Sequence, residues 1–327
     1  MTPALLPEIR SLVADIGGTN TRVALAHGGV LRAETIQRFR NAEHGGIEAV
    51  LKAYADGQGN PECDAASVAI AGPVRDGRGA LTNLDWTIDE ETLGRVTGAR
   101  IAAVLNDLQA QGHALDRIAP ENLREVIAGP AAALNASQLV IGVGTGFNVA
   151  PVHHLGATRL VAPSEAGHGN LPIRTEAELR LCHFVEKAHG FPAVEDVLSG
   201  RGLERVYAWL GHEAGDAQDR RAAQIMADCN DGSDPLATQA VRHFIRILGR
   251  VAGNQALDHL PFGGVFLAGG VARAMAPHLI PMGFVEAFRD KGRFASFMEN
   301  FGVCVIEDDY AALAGSAAHL VRLSELA

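Results

Sequence analysis

The chain has 327 residues, of which 47% are hydrophobic and 20% are charged, a composition typical of a globular protein large enough for two domains. Its net charge of −10 argues against a nucleic-acid partner, because such a partner needs a clustered basic face. We expect no membrane partner and a cytoplasmic location, since the sequence shows no bilayer-length apolar run and no leader. Four scattered cysteines without metal-ligand spacing are expected to be free thiols: Cys63, Cys182, Cys229 and Cys304.

The first predicted element is a β-hairpin with a glycine-rich tip at residues 12–25 (LVADIGGTNTRVAL). Glycine permits positive φ and close approach of the backbone, and an open tip presents N–H groups and hydroxyls that suit a phosphate chain. Asp15 would repel phosphate directly, so we assign it to a hydrated cation beside the phosphates. Taken alone, the stretch is better interpreted as an ordinary hairpin. The candidate phosphate-binding residues of the tip are Gly17, Gly18, Thr19 and Asn20.

Alternating helices and strands follow, and they predict a parallel or mixed α/β sheet. The last strand of this series ends on Asn106 and Asp107, and ligands of open α/β sheets bind beyond such carboxyl ends. In chain order we predict a helix at 47–55, a buried strand at 66–71, a strand and turn at 81–86, a short helix capped by Thr87 or Asp89 and running to Val96, and a core strand at 101–105.

Asn106 and Asp107 permit two interpretations. A carboxylate here can take the proton of a sugar hydroxyl as that hydroxyl attacks a phosphoryl group, while Asn106 holds a neighbouring hydroxyl. An Asn-Asp pair after a strand is also a common turn or helix cap, and taken alone this structural interpretation is favoured. The catalytic interpretation becomes the better one only if phosphate-binding loops lie on the same face.

Residues 138–151 (QLVIGVGTGFNVAP) repeat the pattern of the opening hairpin, with Gly144, Thr145 and Gly146 at the tip. Two such hairpins, each starting an α/β half, indicate an internal duplication of one architecture. Amides from both tips would supply the positioning and charge stabilisation that phosphoryl transfer needs. The other predicted elements are a loop-like stretch at 120–136, helices at 176–189, 202–210, 220–228 and 235–257, strands at 264–270 and 301–307, and a closing helix at 310–323.

Three further side chains in this half suit the recognition of sugar hydroxyls. Glu165 and His168 lie three residues apart in a glycine-rich loop, where they can bind adjacent hydroxyls or a metal. The metal is less favoured, because the cysteines are not clustered and no second histidine completes a ligand spacing. Glu195 is a further hydroxyl acceptor, and Ser199 is expected to cap the helix that follows it.

Together these segments resemble the hexokinase-like bacterial glucokinases, which have the actin-type ATPase fold. The matching segments run through nearly the whole chain in order: ADIGGTNTR, LTNLDW, LNDLQAQGHAL, GVGTG, SEAGHGNLP, VLSGRGLERVY, FGGVFLAGGVA and DKGRF. The resemblance implies a ribonuclease H-like α/β fold with two duplicated domains around a cleft. The small domain would be residues 1–110 completed by the C-terminal helix at 308–327, and the large domain would be residues 111–307.

The same resemblance implies ATP and Mg²⁺ as cofactors, a homodimer, and a role for each candidate side chain. Asp107 would be the base acting on the sugar 6-hydroxyl, and Asp15 would hold the metal. The implied glucose contacts are Asn106, Asp107, Glu165, His168 and Glu195. The implied nucleotide contacts are Asp15, Gly17, Gly18, Thr19, Asn20, Gly144, Thr145 and Gly146 at the phosphates, and Gly269 and Gly270 at the adenosine end.

The chain departs from the usual pattern of that family at several positions. The family's GEGGH is SEAGH here, with Ala166 in place of a glycine, and Asn148 stands in the second hairpin where a glycine is common. Residues 308–316 (DDYAALAGS) differ from a segment that usually resembles DNPGLLGSG, so nucleotide affinity or closure is expected to differ. None of these changes removes a proposed catalytic group.

We therefore expect an ATP-dependent kinase that makes glucose 6-phosphate and has small-molecule partners. A kinase for another hexose or amino sugar is the open alternative, because pocket geometry decides which hydroxyl pattern is accepted. A sugar-responsive regulator is less favoured, since the roughly ten residues before the first strand are too few for a helix-turn-helix. A phosphatase of this fold would leave the four hydroxyl-binding candidates without an evident purpose: Asn106, Glu165, His168 and Glu195.

Overall fold

The computed structural model describes residues 9–81, 84–156, 158–216 and 218–326. The chain divides into two compact units, residues 1–119 with 308–327 and residues 120–307. The domain limits expected from the sequence, 1–110 with 308–327 and 111–307, stay a prediction. Within the described part of the chain, no helix combines the length and the apolar character needed to cross a membrane.

Most strands and helices lie where the hydrophobic pattern predicts them. In chain order the strands are β1 (Arg10–Ile16), β2 (Asn20–His27), β3 (Val30–Leu31), β4 (Gln37–Arg40), β5 (Ala65–Ile70), β6 (Val74–Arg75), β7 (Arg78–Ala80), β8 (Thr87–Asp89), β9 (Ile101–Asn106), β10 (Leu123–Ile127), β11 (Gln138–Val143), β12 (Phe147–Leu155), β13 (Thr158–Val161), β14 (Val265–Ala268) and β15 (Val303–Ile306). The α-helices are α1 (Ile47–Gly57), α2 (Glu90–Thr97), α3 (Asp107–Ala114), α4 (Glu176–His189), α5 (Gly200–Ala214), α6 (Ala222–Asp231), α7 (Pro235–His259), α8 (Gly270–Met275), α9 (Phe284–Arg289) and α10 (Ala311–Leu326).

Each unit contains one large mixed sheet, and the two sheets share a strand order. The first sheet runs β3-β2-β1-β5-β9, with β4 also paired to β2. The second runs β13-β12-β11-β14-β15 and has β10 as an additional edge strand. In both sheets the first hairpin is antiparallel, and its leading strand starts a run of parallel neighbours. This shared order confirms the duplication predicted from the two glycine-tipped hairpins.

The parallel pairing brings the carboxyl ends of β1, β5 and β9 to one edge of the first sheet. Ile16 is the partner of Ile70, and Ile70 is the partner of Asn106. All six residues of β5 are buried, as expected for a parallel strand covered on both faces. The tip of the first hairpin and the residues after β9 therefore emerge at the same edge.

Helix α10 returns from the end of the chain to cover the sheet of the first unit. Leu313, Ala317 and Leu320 join a core cluster with Val13 and other residues of the sheet. The helix also packs closely against α3. A Cβ added at Gly315 would lie 1.7 Å from the carbonyl oxygen of Ala110, so only glycine permits this approach.

One prediction of secondary structure is wrong, and a second is not found among the described residues. The stretch at 120–136, expected to be loop-like, contains β10, which pairs antiparallel with β15. Arg124 and Glu125 in this strand are exposed, as is common at a sheet edge, and they hide the alternation by which strands are recognised. The strand expected within 81–86 is absent from its described residues, which lie between β7 and β8. Thr82 and Asn83 of that segment lie outside the described residues.

The contact at Gly315 yields a stability prediction. We expect Gly315→Ala to lower the free energy of unfolding by about 3 kcal/mol, because the added methyl group forces α3 and α10 apart. Chemical denaturation of the purified variant measures this loss. The control is Gly57→Ala in α1, where a Cβ meets nothing closer than 3.9 Å and the expected change is within about 0.5 kcal/mol. Equal stability of the two variants would contradict the packing argument.

Candidate active site

The tip of the first hairpin is held by Asn41, a buried residue that the sequence does not single out. The Nδ2 of Asn41 donates to the carbonyl oxygen of Gly17 at 2.7 Å, and its N–H donates to that of Thr19 at 3.0 Å. The hydroxyl of Thr21 donates to Oδ1 of Asn41 at 2.8 Å. A further bond, from the N–H of Gly17 to the oxygen of Asn20 at 3.0 Å, closes the turn. The shape of the tip is thus fixed from outside the hairpin.

The expected use of positive φ in this tip is wrong for Gly17, which does not adopt the left-handed region. A Cβ there would lie 3.4 Å from the oxygen of Asn20, an ordinary contact. Gly18 and Thr19 are exposed, so the tip offers its outer side to a ligand. Hydrogen bonding, rather than left-handed backbone, therefore gives the loop its form.

Asp15 lies one residue before the end of β1 and faces Arg22, its partner on β2. The Nη1 atom of Arg22 is 3.3 Å from Oδ2 of Asp15, whose side chain is 18% exposed. Burial raises the pKa of the Asp15 carboxyl above its ordinary value, and the charge and hydrogen bond of Arg22 oppose this rise. The ionised carboxylate is therefore disfavoured here.

A magnesium ion requires few protein ligands when it arrives with a nucleotide, because water and phosphate oxygens complete its shell. Among the described residues, no group of three or more His, Cys, Asp or Glu side chains is placed to hold a metal. The single, partly buried carboxylate of Asp15 suits a magnesium ion that brings its own water and phosphate ligands. It does not suit a site built from protein ligands alone. The donor set thus suits a metal brought in by phosphate.

Asn106 caps α3, as the structural interpretation of the Asn-Asp pair predicts. Its Oδ1 accepts the N–H of Leu108 at 3.0 Å, and the side chain of Gln109 accepts the N–H of Asn106 at 3.1 Å. The Nδ2 of Asn106 donates to the carbonyl oxygen of Gly72 at 3.0 Å. Asp107 is half-buried in the first turn, where its Oδ1 accepts the N–H of Leu108 at 2.9 Å.

The cap does not exclude the catalytic interpretation, because a candidate phosphate-binding tip lies at the same sheet edge of the first unit. Asn106 is in register with Ile70, and the N–H of Ala71 donates to the oxygen of Ile16 at 3.0 Å. The segments that leave β1, β5 and β9 are therefore neighbours. Asp107 and the glycine-tipped hairpin lie at the same sheet edge.

The tip of the second hairpin is held by the start of α5. The N–H of Gly144 donates to the oxygen of Gly146 at 2.9 Å, and the N–H of Gly200 donates to the oxygen of Gly144 at 2.9 Å. Thr145 is exposed at the end of the tip. Ser199 caps α5 through the N–H of Gly202 at 3.0 Å, as predicted.

Gly269 brings the start of α8 against the same hairpin. It has φ +101°, and a Cβ added there would lie 2.5 Å from the carbonyl oxygen of Val143. Both the backbone conformation and the close approach require glycine at this position. Gly270 follows as the first residue of α8, so the glycine pair predicted to bind nucleotide lies beside the second tip.

Glu195 is tied to the second hairpin through the backbone. Its Oε2 accepts the N–H of Phe147 at 3.0 Å, and its own N–H donates to the oxygen of Gly167 at 2.9 Å. A Cβ at Gly146 would lie 2.4 Å from Oε2 of Glu195, and one at Gly167 would lie 2.0 Å from the oxygen of Phe147. Glycine is required at position 167, where the close contact is with backbone, whereas a side chain at position 146 would displace the carboxylate of Glu195.

Glu165 and His168 lie on an exposed loop whose middle, Ala166–His168, forms a 3₁₀ turn. Their side chains are 57% and 68% exposed, and Nε2 of His168 is 3.9 Å from Oε2 of Glu165. The Nδ2 of Asn148 approaches the same oxygen at 3.4 Å. The two candidate sugar ligands are thus adjacent and accessible.

The candidate residues form two groups, one in each unit. The first unit brings together Asp15, Gly17, Gly18, Thr19, Asn20, Asn106 and Asp107, and the second brings together Gly144, Thr145, Gly146, Glu165, His168, Glu195, Gly269 and Gly270. Sequence reasoning missed the supporting role of Asn41, Asn148 and Gly200. Of these, Asn148 carries a visible signal, since it stands where the family pattern has a glycine.

Comparison with known proteins identifies the family. A family model described as Glucokinase matches residues 12–323. The glucokinase of Saccharophagus degradans is 33% identical over 316 residues, which cover 95% of this chain and 98% of that protein. The chain belongs to the glucokinase family.

Solved structures of glucokinases are similar in fold to this chain. A crystal structure of glucokinase from an Antarctic psychrotroph is 29% identical, covers 96% of this chain and 99% of its own, and has a TM-score of 0.84. The crystal structure of glucokinase from Balamuthia mandrillaris in complex with glucose is 22% identical, covers 96% and 94%, and has a TM-score of 0.80. The glucokinase family and the actin-type ATPase fold expected from the motifs are confirmed.

The environment of Asp15 yields a pH-dependent prediction. A carboxyl whose pKa is higher in the folded than in the unfolded state stabilises the fold below the unfolded pKa of about 3.9, and this contribution is lost as pH rises through the folded pKa. We therefore expect Asp15→Asn to be at least as stable as the unmodified protein at pH 7. The advantage should shrink as the pH falls through the raised folded pKa and should be gone below about 4, where Asp15 is protonated in both the folded and the unfolded state.

Thermal unfolding of both proteins across this pH range measures the difference. Asp56→Asn, at an exposed position of α1, is the matched control, because it changes the net charge of the protein by the same one unit. A loss of stability in Asp15→Asn at pH 7 that Asp56→Asn does not share would show that the pair with Arg22 outweighs the burial of the carboxylate.

Proposed function

We propose that this member of the glucokinase family transfers the γ-phosphoryl group of ATP to the 6-hydroxyl of glucose, giving glucose 6-phosphate and ADP. One observation carries the proposal: parallel strands bring the glycine-tipped hairpin and Asp107 to the same sheet edge. A phosphate loop beside a positioned carboxylate is the combination that phosphoryl transfer to a hydroxyl needs. The glucose in the Balamuthia mandrillaris structure supports a hexose as the acceptor.

Asp107 acts as the base in this proposal. Its Oδ1 accepts the N–H of Leu108, which orients the carboxylate at the start of α3. The carboxylate takes the proton of the 6-hydroxyl as that oxygen attacks the γ-phosphorus. The bond from the γ-phosphorus to the bridging oxygen breaks, and ADP leaves with the electron pair. Positioning contributes most of the rate enhancement, because phosphoryl transfer requires little covalent chemistry from the protein.

The phosphates of ATP are assigned to the two hairpin tips, with Gly17, Gly18, Thr19 and Asn20 in one and Gly144, Thr145 and Gly146 in the other. Mg²⁺ supplies charge neutralisation on the phosphates when it is bound, and Asp15 is the residue that would hold it. Gly269 and Gly270 are assigned to the adenosine end of the nucleotide. Their place beside the second tip supports this assignment.

Glucose hydroxyls are assigned to Asn106, Glu165, His168 and Glu195, in addition to the reacting hydroxyl at Asp107. Asn106 and Glu195 are each held by backbone hydrogen bonds, so their positions are set before a ligand arrives. Preorganised polar groups discriminate strongly between sugars, because a missing or displaced hydroxyl leaves a buried partner unpaired.

We also propose that the enzyme works as a homodimer with glucose and nucleotide as its small-molecule partners. The assembly is carried over from the family resemblance. Light scattering on the purified chain measures it directly, and a mass equal to one chain at micromolar concentration would overturn it.

The base assignment predicts a separation of binding from turnover. We expect Asp107→Asn to lower kcat by about 10³-fold, because the isosteric amide keeps the acceptor for Leu108 and cannot take the proton. Glucose affinity, measured by calorimetry without nucleotide, should stay within about threefold. Asp56→Asn should leave both quantities unchanged. Turnover that survives in Asp107→Asn would exclude Asp107 as the base.

The acceptor is tested by measuring sugar-dependent ADP production from Mg-ATP. We expect glucose to give the highest kcat/KM when it is compared with mannose, fructose, glucosamine and N-acetylglucosamine. Preference for another of these sugars would keep the phosphotransfer mechanism and move the specificity. Absence of turnover with every sugar, in protein shown to be folded, would overturn the proposed activity.

A further inference from the structure

The side chain of Asn148 contacts one loop through both its oxygen and its nitrogen atom. It lies in β12, and its Oδ1 accepts the hydroxyl of Ser164 at 3.2 Å and the N–H of Ala166 at 3.0 Å. Its Nδ2 donates to the carbonyl oxygen of Ser164 and approaches Oε2 of Glu165 at 3.4 Å. One half-buried side chain thus contacts three consecutive residues of the loop that carries Glu165 and His168.

Ser164 completes the network. Its Oγ lies 3.1 Å from the N–H of Ala166, so that this N–H has two side-chain acceptors. Asn148 and Ser164 stand at positions where the family pattern has glycine, and they bond to each other. Two departures from that pattern are therefore one structural feature. Glycine offers neither a donor nor an acceptor in its side chain, so the network depends on both substitutions.

The loop is held on its other side by different groups. The N–H of Glu195 donates to the oxygen of Gly167 at 2.9 Å, and the N–H of Val194 donates to the oxygen of Gly169 at 3.0 Å. Asn148 therefore fixes the first half of the loop and these backbone bonds fix the second. Loss of the Asn148 contacts should loosen residues 164–166 and leave the rest of the loop attached.

We propose that Asn148 is a positioning residue for hexose recognition. It preorganises Glu165 by fastening residues 164–166 to β12, and it preorganises His168 through the turn in which the N–H of His168 donates to the oxygen of Glu165 at 3.1 Å. The inference rests on the proposed function, because it takes these two side chains as the hexose ligands. Both are largely exposed, so packing contributes little to their orientation. Ordering such side chains only when the sugar binds would weaken affinity, and a loop ordered in advance avoids that loss. The effect belongs to sugar binding and not to phosphoryl transfer.

The experiment compares Asn148→Ala with the unmodified enzyme. We expect the KM for glucose, and the glucose Kd measured without nucleotide, to rise about tenfold. The kcat and the KM for ATP should each stay within about twofold, which a general loss of structure would not produce. Hydrogen exchange at the Ala166 amide, followed without either substrate, should be about tenfold faster.

Asn300→Ala is the matched control. The Nδ2 of Asn300 donates to the oxygen of Phe297 at 2.8 Å, a bond of the same kind in the same unit at a place with no assigned ligand. We expect its glucose KM and its exchange at Ala166 to match the unmodified enzyme. Ser164→Ala provides a milder variant should Asn148→Ala fold poorly, and it should shift glucose KM in the same direction. In the double variant the two effects should be less than additive, because both act on one network.

The outcomes separate this inference from the proposed function. An active glucose kinase whose glucose KM is unchanged in Asn148→Ala and Ser164→Ala overturns the inference alone. So does a variant in which kcat falls and ATP KM rises while glucose Kd stays constant, since Asn148 would then act on the phosphate tip. Failure of the unmodified protein to bind any hexose overturns the proposed function, and the inference with it.

Discussion

The parallel register of β1, β5 and β9 is the constraint on which the first half of the candidate site depends. Because Ile16, Ile70 and Asn106 are partners across three strands, the hairpin tip and Asp107 leave the sheet side by side. A slip of one residue would move β9 by about 3.3 Å and turn its side chains to the opposite face. The bond from Asn106 to Gly72 would then be lost. Burial of β5 on both faces holds the register, so the hydrophobic core sets the geometry of the polar groups.

The second unit reaches a similar arrangement by a different means. Its sheet repeats the strand order, but its acidic side chains lie on loops. Glycines at the points of closest approach allow these loops to pack against the hairpin. Gly146 leaves space for the carboxylate of Glu195, and Gly167 leaves space for the carbonyl oxygen of Phe147. The carboxylate of Glu195 in turn accepts the N–H of Phe147. A methyl group at either glycine would displace a carboxylate assigned to the sugar. Gly167 thus positions these groups without an assigned ligand contact, and Gly146 does so in addition to its assignment at the phosphates.

Much of this arrangement can be predicted from the sequence. The features that cannot be predicted depend on contacts that form only in the folded chain. Hairpins at 12–25 and 138–151 combine β-prone runs with glycine tips, so local patterning suffices for both. The strand ending at Asn106 is equally clear. Asn41 has no such pattern, since its role depends on a tip that reaches it only in the folded chain. The edge strand β10 depends on pairing with β15, far along the sequence, and its charged residues conceal it.

The electrostatics of Asp15 connect the fold to its proposed ligand. Burial raises the pKa of this carboxyl even though Arg22 lies 3.3 Å away, so its ionised form is less favoured in the fold than in water. A nearby cation favours the ionised form, so a ligand that brought a cation to Asp15 would stabilise the folded state through this carboxylate as well as through its own contacts. Replacing the carboxylate with a neutral side chain would stabilise the protein in the absence of a cation and would weaken this coupling. The same burial that makes Asp15 costly without a cation makes it responsive to one, because a charge acts more strongly where water is excluded.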